Sequence, residues 1–353
     1  MFTYEDLRAI DKSNMYDILK NFHLQIEDAV KIAMNTDIDS FNTDGIKNII
    51  ISGLGGSAIG GDLIRSYTNY EIKIPVSVNR NYTLPEYASE DTLVIISSYS
   101  GNTEESVSAY NEAIAKGCRI VCISSGGEVE KIASENNHTI IKIPGGYQPR
   151  CALGYSFFCL LILFTRLGFI GDKQNNIHRT IASIKENSVK FADIRSNSNA
   201  AIEIANILKN HLPVIYSSVD ILDIVNLRWR GQISENAKIL AYGNLYPEMN
   251  HNELVGWELN REIMKKIVVI ILRDGEDNTR IVQRMDITKK IFEQFANEVI
   301  EIGGTGNGKL ERIFDLIYLA DWVSYYLAIL NDTDPTPVDV ITNLKTELEG
   351  LSS

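Results

Sequence analysis

Two turns rich in glycine and hydroxyl side chains carry the residues best suited to chemistry in this chain. The first, Gly53–Gly61 (GLGGSAIGG), follows the apolar run Asn48–Ser52, and the second, Ser97–Thr103 (SSYSGNT), follows Leu93–Ile96. A helix that begins after such a turn presents unpaired backbone N–H groups and a partial positive charge to a ligand. Hydroxyl groups can donate to further phosphate oxygens. The second turn, which contains no lysine or arginine, therefore favours phosphate binding by dipoles and hydroxyls.

Both turns also admit other interpretations. A helix is expected to begin at the second turn, because Asn102 followed three residues later by Glu105 resembles a capping box. The alternative for this turn is an ordinary strand–turn–helix connection with a Ser/Asn cap. The first is not a P-loop, because no lysine follows its glycines. It nearly matches a dinucleotide fingerprint through Gly53, Gly55 and Ala58, so a nucleotide site stays open as an alternative.

The elements that must position these turns predict a parallel α/β sheet. Strands are expected near 48–52, 74–78, 92–97, 119–123 and 139–143, with helices near 57–68, 103–116 and 127–136. Strands that alternate with helices of this length are typical of a parallel sheet covered on both faces. Ligands of such sheets bind at the carboxyl ends of the strands, and both turns would open onto that edge.

A second alternating pattern covers the C-terminal half of the chain. Strands are expected at 212–217, 237–240, 266–272 and 298–302, and helices after Ser218, at 277–295 and at about 310–330. This pattern resembles a degenerate copy of the first half without the SGNT signature, so we expect one phosphate site, in the first half.

The remaining segments are predicted to be helical and complete the domain organisation. A helix over 15–34 is interpreted as peripheral, 152–168 as a buried helix, and the polar stretch 170–200 as a crossover. The predicted division is a helical segment 1–45, a first domain 46–170 with the phosphate turn, a helical crossover 171–200, and a second domain 201–353 with a C-terminal helical tail.

Composition and charge exclude several classes of partner. The 353 residues carry 34 Lys and Arg against 46 Asp and Glu, for a formal net charge of −12. A chain this acidic, without a basic block, is not expected to bind nucleic acid or an anionic membrane. The four cysteines and five histidines show no metal-ligand spacing, and no signal-peptide pattern is visible at the N-terminus. We therefore expect no metal and a cytoplasmic location.

Three residues outside the turns are candidates for catalysis. Arg150 precedes a strongly apolar helix, where a cation does not help the helix dipole and could face an anionic ligand; an exposed arginine is the alternative. Glu235 lies between a helix and a predicted short strand, but its position alone cannot select it among 46 acidic residues. His251 lies in the polar loop Tyr246–Glu253, and loop histidines flanked by Asn and Glu are more often functional than histidines on apolar helix faces.

Six motifs in register resemble the bifunctional phosphoglucose/phosphomannose isomerases, a family with the sugar isomerase (SIS) fold. In chain order they are GLGGSAIGG, SSYSGNTEES, QPRCALGYS, SENAK, NHNE and DPTPVDVITNLK, and they span residues 48–345. The resemblance implies an α/β protein of two SIS-type three-layer αβα subdomains with mainly parallel sheets. It also implies an aldose–ketose isomerase that interconverts glucose 6-phosphate and mannose 6-phosphate with fructose 6-phosphate through a cis-enediolate, without a cofactor.

The same resemblance implies the residues that bind substrate. The positions that match the phosphate-binding set of the family are Gly56, Ser57, Ser98, Ser100 and Thr103. Thr336 matches a threonine that leaves room for both epimers, with Thr342 as the competing position.

The resemblance also implies the catalytic residues and a partner. Glu235 matches the catalytic base and Arg150 the arginine beside the developing enediolate. Lys345 matches a lysine that assists ring opening, and His251 a histidine that reaches the site from the partner subunit. The expected protein is therefore a homodimer in which His251 is contributed across the interface.

Two rival functions come from other classes. A non-catalytic phosphosugar sensor would carry the same module, often beside a basic DNA-binding domain that this acidic chain does not show. An NAD-dependent dehydrogenase would need tight binding of a nicotinamide dinucleotide, which fluorescence quenching would detect. The six motifs favour the isomerase over both.

Overall fold

The computed structural model describes residues 3–351 and contains two parallel β-sheets, each built from its own stretch of chain. The first sheet has the order β2-β1-β3-β4-β5 and consists of β1 Asn48–Ser52, β2 Val76–Asn79, β3 Thr92–Ser98, β4 Arg119–Ser124 and β5 Thr139–Lys142. The second has the order β7-β6-β8-β9 and consists of β6 Leu212–Ser218, β7 Tyr242–Tyr246, β8 Ile267–Arg273 and β9 Glu298–Gly303. All paired strands are parallel, which confirms the predicted α/β architecture.

Helices cover both sheets. Within residues 3–351 they are α1 Tyr4–Ile10, α2 Met15–Lys20, α3 Phe22–Asn35, α4 Gly55–Thr68, α5 Glu104–Ala115, α6 Gly127–Glu135, α7 Leu153–Arg166, α8 Gln174–Ala192, α9 Ala200–Leu208, α10 Asp223–Ala237, α11 Arg261–Met264, α12 Thr279–Phe292, α13 Lys309–Leu330 and α14 Asp339–Leu351. Short 3₁₀ helices lie at Pro149–Cys151, Glu248–His251 and Glu253–Trp257. β3 is buried at every position, as expected for a continuous apolar strand between two helix layers.

The N-terminal helices belong to the core, so their interpretation as peripheral is wrong. Phe22, Ile26 and Ala29 of α3 are buried, and the helix packs against α7. The single helix expected over 15–34 is divided into α2 and α3 at Asn21, whose ψ of 15° departs from helical values. An apolar stripe interrupted by polar residues resembles a surface helix, but here the stripe packs on α7, which is apolar on all sides.

The strand expected at 237–240 is wrong. α10 continues to Ala237, Lys238 ends it in the left-handed conformation with φ 58°, and the next strand begins at Tyr242. A short apolar run cannot be distinguished from a helix end by its pattern alone. Glu235 therefore lies in the last turn of α10, where the helix fixes the direction of its side chain.

Helix α13 joins the two halves of the molecule. It is buried from Leu310 to Ile329 and packs against α8, α9 and α10, while Phe314 contacts the aromatic rings of Phe22 and Phe158. By length and apolar composition alone it could cross a membrane, but 94% of its apolar window is buried inside the fold. We therefore interpret it as a core helix.

Candidate active site

A cleft of about 250 Å³ lies where the first half of the chain meets α10. The residues that line it are Gly55, Gly56, Ile59, Arg80, Arg150, Leu227, Arg228, Gly231, Gln232 and Glu235. Gly55 and Arg80 closely follow β1 and β2, so the cleft opens at the carboxyl edge of the first sheet, as parallel α/β proteins prefer.

A larger groove of about 520 Å³ lies elsewhere, between α2, α3 and two tyrosines of the first half. Its ionisable lining comprises Asp17, Asp28, Tyr147 and Tyr155, with no cation. Two carboxylates without a cation would repel a phosphosugar. The smaller cleft, with three arginines and one glutamate, is therefore the better candidate for an anionic substrate.

The turn after β3 brings together three of the predicted phosphate ligands. Ser98 Oγ donates to Thr103 Oγ1 at 3.3 Å, and Ser100 Oγ accepts the N–H of Asn102 at 3.3 Å. Gly101 has φ +74° and packs so closely on Gly126 that a side chain would collide with the Gly126 carbonyl. The tight turn thus brings three hydroxyl residues close to the beginning of α5.

The capping box expected from Asn102 and Glu105 is wrong. α5 begins at Glu104 with Thr103 as its N-cap, and the Thr103 side chain does not cap the helix. Asn102 Oδ1 instead accepts the N–H of Glu128 at the start of α6, 2.9 Å away. The first N–H groups of α5 therefore lack a side-chain cap, which leaves them available to a phosphate.

Ser57 links the two hydroxyl-rich turns. Its Oγ accepts the backbone N–H of Tyr99 at 3.1 Å, and the residue is buried near the start of α4. Because β1 and β3 are neighbours, turns that are far apart in the sequence meet at one edge. Four of the hydroxyl residues predicted to bind phosphate thus lie on two connected turns.

Gly56 brings α4 against the segment that carries Arg150. A Cβ built on Gly56 would lie 2.5 Å from the Pro149 carbonyl oxygen and 3.2 Å from the Arg150 nitrogen. The absence of a side chain at Gly56 therefore lets the arginine segment approach the phosphate turn.

Gly56→Ala is expected to displace the Arg150 segment and to lower kcat/KM by about tenfold or more, because small misplacements of catalytic groups are costly. Steady-state kinetics checks this. Gly275→Ala is a matched control, since a Cβ there meets nothing within 4 Å and the residue lies outside the cleft. Equal kinetics for both variants would show that the close approach at Gly56 is unimportant.

Arg150 is buried at 3% exposure, which excludes the exposed alternative. Its Nε donates to Asn236 Oδ1 at 2.7 Å, and its Nη2 donates to the carbonyls of Pro335 at 2.8 Å and Thr336 at 2.7 Å. Its Nη1 lies 3.5 Å from Glu235 Oε2. One rigid guanidinium thus connects α10 with the segment after α13 and brings Glu235 and Thr336 together.

A second buried arginine holds the backbone of Arg150. Arg228 Nη2 donates to the Arg150 carbonyl at 2.8 Å and to both carboxylate oxygens of Asp321 at 3.0 Å, while Gln232 donates to Asp321 at 2.8 Å. Burial raises the pKa of Asp321 above its ordinary value, although Arg228 and Gln232 oppose that shift. The guanidinium of Arg228 is paired with the carboxylate of Asp321, whereas the guanidinium of Arg150 faces Glu235.

The Glu235 side chain remains accessible, at 36% exposure. It lines the cleft, and its separation of 3.5 Å from Arg150 is an ion pair at longer than hydrogen-bond distance. Its carboxylate is therefore free to accept a proton from a ligand in the cleft.

The structure does not bring His251 and Lys345 to this cleft within one chain. His251 ends the 3₁₀ helix after β7 and Lys345 lies on α14; both are exposed, and neither lines the cleft. Across residues 3–351, neither side chain makes a hydrogen bond or an ion pair. Of the predicted site residues, Gly56, Arg150 and Glu235 line the cleft, and Thr336 is joined to it through Arg150. The four hydroxyl residues of the two turns are not part of the cleft lining.

Sequence reasoning missed two arginines of the cleft. Arg80 follows β2 and forms an ion pair with Asp62 of α4. Its place at the end of a parallel strand was the signal that could have identified it. Arg228 lies seven residues before Glu235 on α10, so helical periodicity could have placed the two on one face.

Comparison with known proteins gives consistent matches along the chain. Residues 197–348 match the family described as the bacterial phospho-glucose isomerase C-terminal SIS domain. The chain is 43% identical over 335 residues to the bifunctional phosphoglucose/phosphomannose isomerase of Caldicellulosiruptor bescii, covering 95% of this chain and 98% of that one. It is 39% identical over 304 residues to the corresponding protein of Aquifex aeolicus, covering 86% and 91%. The crystal structure of a glucose-6-phosphate isomerase like protein from Thermus thermophilus matches with a TM-score of 0.63 at 18% identity, covering 94% of this chain and 96% of that one.

The matched SIS domain and the similarity to a solved structure across both sheets place the fold in the sugar isomerase (SIS) class, which confirms the predicted fold. Sequence identity of 43% over nearly the whole chain also identifies the family within this fold class. The chain belongs to the family of bifunctional phosphoglucose/phosphomannose isomerases, so the resemblance seen in the six motifs is confirmed.

Proposed function

We propose that this protein is an aldose–ketose isomerase that interconverts glucose 6-phosphate and mannose 6-phosphate with fructose 6-phosphate. The observation that carries the proposal is the pairing of an accessible carboxylate, Glu235, with a buried and fully positioned cation, Arg150, 3.5 Å away. Isomerisation moves a proton between C1 and C2 through a cis-enediolate. Glu235 accepts and returns that proton, and Arg150 stabilises the negative oxygen that develops.

The connected turns supply the binding energy for the phosphate. Gly56 lets α4 and the Arg150 segment approach. Ser98, Ser100 and Thr103 lie on the turn that leads into α5, and Ser57, near the start of α4, accepts from the backbone of the same turn. Interactions with the non-reacting phosphate orient the sugar carbons at Glu235, which is an entropic advantage.

Thr336 is the better candidate for the threonine that accommodates both epimers. It is buried, and its carbonyl accepts from Arg150, so it lies beside the reacting groups. Thr342 is exposed on α14, where its hydroxyl donates to the Val338 carbonyl at 3.4 Å. The proposal therefore keeps Thr336 and drops Thr342.

We further propose a homodimer, in which His251 of one subunit completes the cleft of the other. β7 is an edge strand, and the segments around it and His251 carry apolar side chains exposed over more than half of their surface; these are Leu240, Tyr242, Val255, Leu259 and Ile263. Such an exposed apolar patch is typical of a protein interface. The histidine and Lys345 would then share the proton transfers of ring opening.

Mixing two inactive variants tests the shared histidine. If His251 acts across the interface, a heterodimer of Glu235→Gln and His251→Asn subunits contains one intact site. Random exchange of equal amounts should then recover about a quarter of the wild-type activity, as expected for a twofold dimer. If His251 acts within its own chain, or if the protein is a monomer, mixing recovers no activity.

A cytoplasmic location and a role in glycolysis and gluconeogenesis complete the proposal. The cysteines Cys118, Cys122, Cys151 and Cys159 are all buried free thiols, which suits a reducing compartment. The phosphoglucose and phosphomannose in the names of the relatives support the metabolic role. The sensor and dehydrogenase alternatives are not favoured, because these relatives are named as isomerases.

The function is tested by supplying fructose 6-phosphate in the presence of EDTA and quantifying the two aldose products separately. We expect both glucose 6-phosphate and mannose 6-phosphate, at rates that EDTA does not change. Across the described residues 3–351, no group of three or more His, Cys, Asp or Glu side chains is placed to hold a metal ion. Glucose 6-phosphate alone would remove the argument for Thr336, and the absence of both products would overturn the proposed function.

A further inference from the structure

Lys238 ends α10 in an unusual way for a lysine. Its backbone is left-handed, with φ 58°, a conformation in which glycine or asparagine is favoured. A lysine is more strained there than glycine or asparagine, so the backbone alone gives no reason for a lysine. The reason must lie in what its side chain contacts.

The Lys238 ammonium lies within hydrogen-bond distance of four backbone carbonyls from two segments. Nζ lies 2.8 Å from the Glu235 oxygen and 3.1 Å from the Asn236 oxygen, both in the last turn of α10. It lies 2.9 Å from the Asp334 oxygen and 3.1 Å from the Pro335 oxygen, in the segment after α13. A cation at a helix C-terminus complements the helix dipole, and its three protons are shared among the four acceptors.

Lys238 and Arg150 are held by the same two residues. The Pro335 carbonyl accepts from Lys238 Nζ and from Arg150 Nη2, and Asn236 offers its carbonyl to Lys238 and its side-chain oxygen to Arg150. Loss of the ammonium would remove the direct contacts between the end of α10 and the carbonyls of Asp334 and Pro335, and would leave Arg150 as the link between Asn236 and this segment. The carbonyls of residues 335 and 336, which fix the Arg150 guanidinium opposite Glu235, would then be held less firmly.

We propose that Lys238 is a positioning residue for isomerisation. Its ammonium links the end of α10 to residues 334–336 and so keeps the Arg150 guanidinium opposite the Glu235 carboxylate. The inference rests on the proposed function and deepens it, because it assigns a role to a residue that touches the reacting groups only through others.

The charges around Lys238 give the inference a pH signature. Partial burial, followed by the positive charge of Arg150, lowers the pKa of Lys238 to about 8. The carboxylates of Asp334, Asp339 and Glu235 oppose that shift. Below this pH the ammonium keeps its charge and three protons, and above it the amine holds the segment with fewer donors. Turnover should therefore fall as the pH rises through about 8.

Two substitutions separate the ammonium from the backbone. Lys238→Met removes the charge and keeps the left-handed strain, whereas Lys238→Asn removes the charge and relieves that strain. We expect both to lower kcat by about tenfold or more with a smaller change in KM, and to abolish the decline near pH 8, even though the Asn variant melts at a higher temperature than the Met variant. Lys209→Met is the control, because Lys209 is the C-cap of α9 and lies outside the cleft.

The outcomes are distinguishable. Equal losses of kcat in the two variants, independent of melting temperature, would support the positioning role. Wild-type kcat in both, or losses that follow only the melting temperature, would overturn the inference while the isomerase stands. No turnover by the wild-type protein would overturn the proposed function and the inference with it.

Discussion

Glu235→Gln is expected to fold as the wild-type protein does and to lower kcat by about 100-fold or more, as the loss of a general base does. Glutamine has the same shape as glutamate but cannot accept the proton from the sugar carbon. The side chain is about one-third exposed and its one ion pair, to Arg150, is 3.5 Å long, so little stability depends on it. The kcat for fructose 6-phosphate, with the melting temperature of each protein, measures both expectations.

Glu203→Gln provides the matched control for this prediction. Glu203 is an exposed glutamate of α9, also in the second half of the chain but outside the cleft. Its kcat should equal that of the wild-type protein. Turnover near the wild-type value in Glu235→Gln would show that another group is the base.

Arg150→Lys is expected to lower kcat by about 100-fold, similar to the loss of an oxyanion donor. A lysine keeps the charge but cannot reproduce these contacts, because Asn236, the carbonyls of residues 335 and 336, and Glu235 face three different nitrogens of the planar guanidinium. The enediolate would lose its fixed cation. The melting temperature should also fall, since each buried polar group left unpaired costs about 1–3 kcal/mol.

Arg166→Lys distinguishes the catalytic effect from the structural one. Arg166 Nη1 donates to the carbonyls of Ala33 at 2.8 Å and Thr36 at 2.6 Å, and Nη2 contacts Asp39 at 2.8 Å, so its bonding resembles that of Arg150 away from the cleft. We expect this variant to lose stability and keep its kcat. If Arg150→Lys also kept its kcat, Arg150 would be a structural residue only.

Local patterns were sufficient to predict the strands and turns of the first half. The runs that precede Gly53 and Ser98 are continuously apolar because both faces of the sheet are covered, and this leaves a clear signal. The glycines and hydroxyls then mark the turns, and the motifs indicate the family. These features are sufficient to predict that the site lies at the carboxyl edge of the first sheet.

The contacts around Arg150 could not be predicted in the same way. Its partners Asn236 and Pro335 are 86 and 185 residues away in the chain, so only tertiary packing brings them together. The backbone of Arg150 is also held by Arg228, which pairs with Asp321 on a different helix. The end of α10 was missed for a related reason, because the contacts of Lys238 with residues 334 and 335 stabilise its left-handed backbone.

His251 and Lys345 show a different limit of sequence reasoning. Motif resemblance assigns both to the site, yet the fold of one chain leaves them exposed and away from the cleft. A site completed by a second copy is not a property of one chain, so the assignment of these residues stays a prediction that depends on the dimer.

The most direct test of proton transfer by Glu235 is to follow the conversion of fructose 6-phosphate in D₂O by NMR. Transfer through Glu235 and an enediolate passes the carbon-bound proton through an exchangeable carboxylate. We therefore expect deuterium at C2 of the aldose 6-phosphates formed by the wild-type protein, and a strongly reduced rate of both product formation and labelling in Glu235→Gln. Product formation and labelling at the wild-type rate in Glu235→Gln would contradict proton transfer by Glu235.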